Sequence, residues 1–350
     1  MGFDPSVGDT LEVAMGPLTF AEHPAAKGMP HLSQGARGTV YRLQDVQGAS
    51  WALKIFNARA RSEHTGVVAQ RLRELANLPG LTAARREVFG LDHPLAMQHR
   101  ELRWALIMPW VRGFPWNSII ANGVHKNQLH LQPAAAAAIC RSLLAVAGGI
   151  EARGLAHADI SSGNVMFALE GAGVELVDLE EMYGPGWLEP RDKPRGSPGY
   201  THPRMYEDRE ATLWGACADR YAFSVLLSEV FALSNPELAS AASKEGFGYF
   251  DDMELKSPRT GRAVAVLSLL NRIDVNIGNL LWKALASDSV ERCPSVKEWA
   301  DVLQPLLAKA PPVVGPALVE RRMPHAWDWE MSRSEVPPHI PHMNTCTPSN

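Results

Sequence analysis

The stretch His157-Ala158-Asp159-Ile160-Ser161-Ser162-Gly163-Asn164 decides how this chain reads, together with Val165-Met166-Phe167 and, past Gly171 and Gly173, Val174-Glu175-Leu176-Val177-Asp178. The first eight residues are too polar and too rich in turn formers for a regular element, so they read as a loop. The two apolar runs after them, separated by glycines, read as a short hairpin. Asp159, Asn164 and Asp178 therefore come from one loop and one strand end, and oxygen donors of this kind suit a hard cation. Alone, a loop carrying Asp and Asn is usually only a turn. The apolar hairpin ending in a second aspartate raises it above that.

Upstream, Ser33-Gln34-Gly35-Ala36-Arg37-Gly38-Thr39-Val40-Tyr41 puts two glycines in a hairpin, where absent side chains let backbone amides approach a phosphate. Two strand-like runs, Thr39 to Leu43 and Trp51 to Phe56, flank a turn at Gln47-Gly48. Lys54 sits in the middle of the second run, between Leu53 and Ile55. A helix is expected over Val67 to Leu78, carrying Glu74, and Glu63 lies near its start. Strand-like runs near Pro94 to Gln98 and Arg103 to Trp110 end at Val111-Arg112-Gly113. Beyond that point the pattern turns helical, over Ala134 to Arg153, Ala218 to Ala232 and Val296 to Lys309.

In this order the segments resemble a protein kinase domain of the eukaryotic, Ser/Thr type, from about residue 30 to residue 308. The resemblance implies an α+β, two-lobed fold: an N-lobe of antiparallel sheet plus helix, and a mainly helical C-lobe. It implies Asp159 as the catalytic base, with Lys54 and its partner Glu74 as the other catalytic residues. It assigns magnesium to Asn164 and Asp178, and ATP to Gly35, Gly38, Val40 and Lys54. The stretch Met108-Pro109-Trp110-Val111 falls where the family's hinge offers backbone groups to adenine, with Met108 guarding the back of the pocket and Pro109 and Val111 beside it. Gly196-Ser197-Pro198-Gly199-Tyr200-Thr201-His202-Pro203-Arg204 resembles the end of an activation segment, and Asp219 resembles the aspartate that braces the catalytic loop.

The sequence also departs from the family. Ser33 replaces the first glycine of the loop, Ala158 the usual arginine, and Ser161 a lysine that contacts the transferred phosphate. Leu179-Glu180 stands for Phe-Gly after the metal aspartate, and Arg204 for a glutamate. The leading reading is an ATP- and magnesium-dependent protein kinase acting on Ser/Thr hydroxyls of an unidentified protein substrate. The alternatives are a small-molecule kinase similar to aminoglycoside or choline phosphotransferases, and a nucleotide-binding pseudokinase scaffold.

Composition sets the frame. The 350 residues are 46% hydrophobic and 21% charged, with a formal net charge of -4 and a pI near 6.3, ordinary values for a globular chain. No long basic run points to nucleic acid or an anionic membrane, so neither is an expected partner. Cys140, Cys217, Cys293 and Cys346 are too scattered for a disulfide framework or a zinc knuckle, which suggests a reducing, cytoplasmic setting. No apolar run is expected to span a bilayer, and the first residues do not read as an export signal. The expected organisation is an extension over 1–27, an N-lobe over 28–110, a C-lobe over 111–309 and a proline-rich tail over 310–350 with a possible binding partner.

Overall fold

The computed structural model describes residues 3–126, 129–167, 173–244, 248–256, 258, 261–311 and 318–319. Gly171, Cys346 and most of the proline-rich tail, with the partner expected for it, lie outside these residues. The described chain is a mixed α+β structure, an N-terminal antiparallel curled sheet followed by a mainly helical region.

The N-terminal strands are β1 (Thr10–Val13), β2 (Gly16–Phe20), β3 (Glu22–His23), β4 (Ala26–Pro30), β5 (Leu32–Gly35), β6 (Gly38–Asp45) and β7 (Ser50–Phe56). Then come α1 (Glu63–Arg73), β8 (Glu87–Val88), α2 (Pro94–Gln98) and β9 (Leu106–Pro109). The main sheet runs β1-β2-β6-β7-β9-β8, with β5 also paired to β6. Aromatic and β-branched residues fill β6 and β7, as a pleated, half-buried surface favours. Their hairpin closes where the sequence predicts, with the Asp45 carboxylate accepting from the backbone N–H groups of Gln47 and Ala49.

Register fixes what each face carries. Val40 lies opposite Lys54, Ala52 opposite Met108, and Lys54 opposite Leu106, so these side chains share one face. Ala52 and Met108 pack there with Val68 and Leu72 of α1, in a core continuous with that of the helical region. On the other face Leu43, Leu53 and Ile107 form a separate core with Leu18, Phe20, Phe89 and Leu102.

Three expectations about the N-terminal region are corrected. The segment before residue 28 is no appendage, because β2 pairs with β6 from Leu18↔Asp45 to Phe20↔Leu43. Pro94 to Gln98 is a helix and not a strand: proline occupies its first turn, and the His93 ring accepts the Leu95 N–H, which together make a helix start. Helix α1 ends at Arg73, and Leu75 and Leu78 continue only as tight i to i+3 turns before Pro79, which disfavours helical backbone in front of it.

The helical region comprises β10 (Phe114–Pro115), α3 (Trp116–Ser118), β11 (His130–Leu131), α4 (Pro133–Glu151), β12 (Val165–Phe167), β13 (Val174–Leu176), α5 (Arg204–Glu207), α6 (Arg220–Leu233), α7 (Pro236–Ser240), α8 (Asp252–Lys256), α9 (Gly261–Ile273), α10 (Val275–Leu285), α11 (Val296–Leu307) and β14 (Leu318–Val319). Every residue of α6 from Tyr221 to Leu233 is buried. Helix α11 opens on a capping box, Ser295 with Glu298, and its Trp299 donates its ring N–H to Ser224 on α6 at 3.0 Å. Contrary to expectation, α4 is long and apolar enough to cross a membrane. Here its buried side chains, among them Ile139, Leu143, Val146 and Ile150, pack into the main core. From the tail, Leu318 and Val319 pair with Leu131 and His130.

Candidate active site

The loop after α4 is shaped by α6. Asp219, just ahead of that helix, accepts the backbone N–H of His157 at 2.6 Å and of Ala158 at 2.8 Å, one on each carboxylate oxygen. The His157 ring meets the Val177 carbonyl at 2.9 Å, which joins the loop to the strand that follows. Ala158 is thereby held at φ 66°, a left-handed conformation that costs a residue with a side chain free energy. Burial raises the Asp219 pKa, opposed by His157 and the two N–H donors.

The clamp presents Asp159. One of its oxygens accepts the Ser197 hydroxyl at 2.8 Å and the other the Asn164 amide N–H at 2.9 Å. The same Asn164 nitrogen also donates to the Asp159 carbonyl, also at 2.9 Å. Burial raises the Asp159 pKa, opposed chiefly by the Ser197 hydrogen bond. A carboxyl shifted this way is better suited to accept a proton near neutral pH than an exposed one. Ser197 lies in the 196–203 segment, where Thr201 donates to the Ser197 carbonyl at 2.8 Å. Tyr200 is anchored through its hydroxyl to the buried Glu229 at 2.6 Å.

Asp178 follows the hairpin at φ 60°, and the N–H of its neighbour Val177 donates to the Asn164 carbonyl at 2.9 Å. Lys54 reaches it across the sheet face, with Nζ 2.9 Å from Asp178 Oδ1. The structure thus brings together Lys54, Asp159, Asn164 and Asp178. It does not bring Glu74, which is exposed at the end of α1. The carboxylate facing Lys54 at 2.6 Å is Glu180, on the turn after Asp178. The correction has a plain cause: α1 stops at Arg73, one residue short of Glu74, and the inward positions of its face are Thr65, Val68, Ala69 and Leu72. Glu180 also binds the buried Arg86 at 2.5 Å. Burial pushes the Lys54 pKa down, but Glu180 and Asp178 outweigh it and the net shift is upward. Burial works against ionised Glu180 as well, and the charges of Lys54 and Arg86 hold its pKa well below the usual carboxylate range.

The glycine hairpin closes at Gly35 and Gly38, with the turn carbonyls of Ala36 and Arg37 fixed by Asn57. Arg37 forms an ion pair with Glu181. The two glycines differ in kind. A Cβ on Gly38 would collide with the Ile55 carbonyl, whereas on Gly35 its nearest neighbour is 3.9 Å away. Gly38→Ala is therefore expected to cost about 2 kcal/mol and Gly35→Ala close to nothing, read as shifts in urea midpoint. Equal shifts would contradict this packing.

Val40 lies across from Lys54, and Met108 is buried beside Ala52. Pro109 has no N–H, and that of Trp110 donates to the Ser50 carbonyl at 3.0 Å. A cavity of about 290 Å³ lies on the face of the sheet opposite Lys54, lined by Gly35 and Gly38 of the hairpin together with Phe3, Tyr41, Ile55 and Glu101.

For a divalent cation the donor set is oxygen-rich and sparse. Asn164 spends its amide nitrogen on Asp159, which leaves the amide oxygen to face a cation, and the Asp178 side chain is 45% exposed. Among the described residues no cluster of three His, Cys, Asp or Glu could hold a metal ion. A hard cation at Asn164 and Asp178 would thus draw further oxygens from phosphate and water, as magnesium commonly does.

Sequence reasoning passed over Glu180, Arg86 and Ser197 as site residues. An acidic residue after an aspartate reads as solvated, and nothing in Ala83-Ala84-Arg85-Arg86 marks which arginine turns inward. No protein-family model matches the chain, and no curated protein shows significant similarity to it.

Proposed function

We propose that the protein is an ATP- and magnesium-dependent phosphotransferase of the two-lobed, protein-kinase-like kind, acting on hydroxyl groups of Ser or Thr in a protein. One observation carries this reading: Lys54 meets Asp178, which is one residue from the partner of Asn164, whose amide in turn holds Asp159. Four residues spread over 125 positions join into one contact chain of the types phosphoryl transfer requires. ATP lies between sheet and helical region, its phosphates on the glycine hairpin and Lys54. The carbonyl of Pro109 and the N–H of Val111 face the base, with Met108 behind it.

Asp159 takes the proton of the attacking hydroxyl. The hydroxyl oxygen bonds to the γ-phosphorus as the bond to the bridging oxygen of ADP breaks, and Lys54 offsets charge on the departing diphosphate. Asn164 and Asp178 would hold the magnesium ion, which would supply positive charge to offset that of the phosphates. The protein-substrate class is supported by the way Ser197 and Tyr200 seat the 196–203 segment against Asp159 and Glu229, giving a fixed surface beside the base.

Thermal denaturation with nucleotide and metal tests the site. The melting temperature is expected to rise with ATP and magnesium together, and Asp178→Ala to abolish the metal-dependent part. Equal rises in both proteins would remove Asp178 from the site. Labelled ATP offered with casein-like proteins and with small hydroxyl compounds separates the acceptor classes: transfer only to the small compounds would overturn the protein-substrate assignment.

A further inference from the structure

An ammonium buried as deeply as that of Lys54, with its side chain 4% exposed, is tolerable only beside a fixed opposite charge. Two carboxylates are in reach, and they differ. Asp178 is 45% exposed and able to exchange partners. Glu180 is 6% exposed and held from both sides, by Lys54 on one oxygen and by the fully buried Arg86 on the other. Arg86 is itself set by its Nε bond to the Ala83 carbonyl at 2.8 Å, while its own carbonyl takes Arg73 Nε at 2.7 Å. Helix α1 meets this assembly through Arg73 and along the Leu179–Glu181 turn, while the carboxylates at Lys54 are those of Asp178 and Glu180, off the helix.

We infer that Glu180 is the positioning residue for Lys54, taking the place of a carboxylate on α1, and that it frees Asp178 for the cation. The inference rests on the phosphotransfer reading for its catalytic meaning. Asp178 and Glu180 lie two residues apart on one turn, Leu179–Glu181 being a single 3-10 segment. The phosphate-holding lysine and the cation-holding aspartate are therefore aligned by the same few backbone atoms. When Asp178 turns to a cation, Lys54 keeps its partner and does not swing away. The acidic residue that departs from Phe-Gly is then the device that makes Glu74 dispensable.

The test uses the full chain with Glu180→Gln, Glu180→Asp, Glu74→Gln, Lys54→Met and the double variant Lys54→Met/Glu180→Gln. The first readout does not need activity: the pH midpoint for acetylation of Lys54 by a small N-hydroxysuccinimide ester, followed by peptide mass spectrometry. Without the Glu180 charge the midpoint should fall by about one pH unit or more, a tenfold change in free amine. Glu180→Asp should restore much of it, and Glu74→Gln should not move it. The second readout is kcat/KM for ATP. Glu180→Gln should lower it about tenfold or more, and the double variant should be no worse than Lys54→Met, since the two residues act as one unit. A merely structural Glu180 would give additive losses. If Glu180→Gln does not fold, Glu180→Asp against Glu74→Gln decides by the same midpoints. A midpoint that moves with Glu74 and not with Glu180 overturns the inference. Absent transfer in the unmodified protein, with the midpoint still set by Glu180, overturns the phosphotransfer reading and leaves the ion pair standing.

Discussion

Asp159→Asn is expected to retain nucleotide binding while losing phosphoryl transfer by about 10²- to 10⁴-fold, the usual worth of a positioned base. The geometry explains why the loss should be selective. An asparagine can keep both contacts of the aspartate, with its oxygen accepting from Asn164 and its nitrogen donating to Ser197, whose hydroxyl can rotate to receive it. The loop then stays formed, because its shape is set by Asp219 acting on His157 and Ala158. What disappears is the capacity to take a proton. Initial rates with labelled ATP, beside a thermal titration for nucleotide affinity, measure the two effects separately. A loss smaller than about tenfold would show that Asp159 is not the base.

Asp219→Asn should destabilise the fold by roughly 3 kcal/mol, although it changes one atom. Both oxygens of this buried carboxylate accept backbone N–H groups, and an amide can offer an oxygen to only one of them. The other N–H would face an NH₂ group in the interior, and Ala158 would lose part of what holds it in its left-handed conformation. Urea denaturation at constant m-value reads the cost directly. A midpoint unchanged from the unmodified protein would mean that the loop is held by other contacts.

The parts of this fold and site that were legible in the sequence share a physical reason. Strands β6 and β7 carry β-branched and aromatic residues on either side of a short glycine turn, and α6 is apolar enough to be buried on all sides, so local pattern suffices for them. Asp159, Asn164, Asp178 and Lys54, which the structure brings together, could be picked out in the sequence because the resemblance fixes their residue types and order together. Glu74 misled for the opposite reason: a glutamate on an amphipathic stretch looks the same whether it turns inward or to solvent. Only the early end of α1 decides. Glu180 was hidden because its burial depends on Arg86, 94 positions away, and no local pattern encodes such a pairing. The strand reading of Pro94 to Gln98 overlooked a proline and a histidine that favour a helix start. The seating of β2 was unreadable because its partner β6 lies across a further hairpin, β3 with β4.

That seating bears on how the protein should be handled and trimmed. β5 protects β6 only from Gly38 to Tyr41, and β2 covers the remainder from Leu43 to Asp45. A fragment begun at residue 28 would leave this half of β6 as a bare sheet edge, its ladder groups free to template another chain. It would also strip Leu11, Leu18 and Phe20 from the outer core, baring Leu43 and Leu53 beside that edge. Such a fragment invites edge-to-edge aggregation even with every residue of the site present. Residues 10–20 act as the sheet's selvedge, keeping the weave from joining its neighbour.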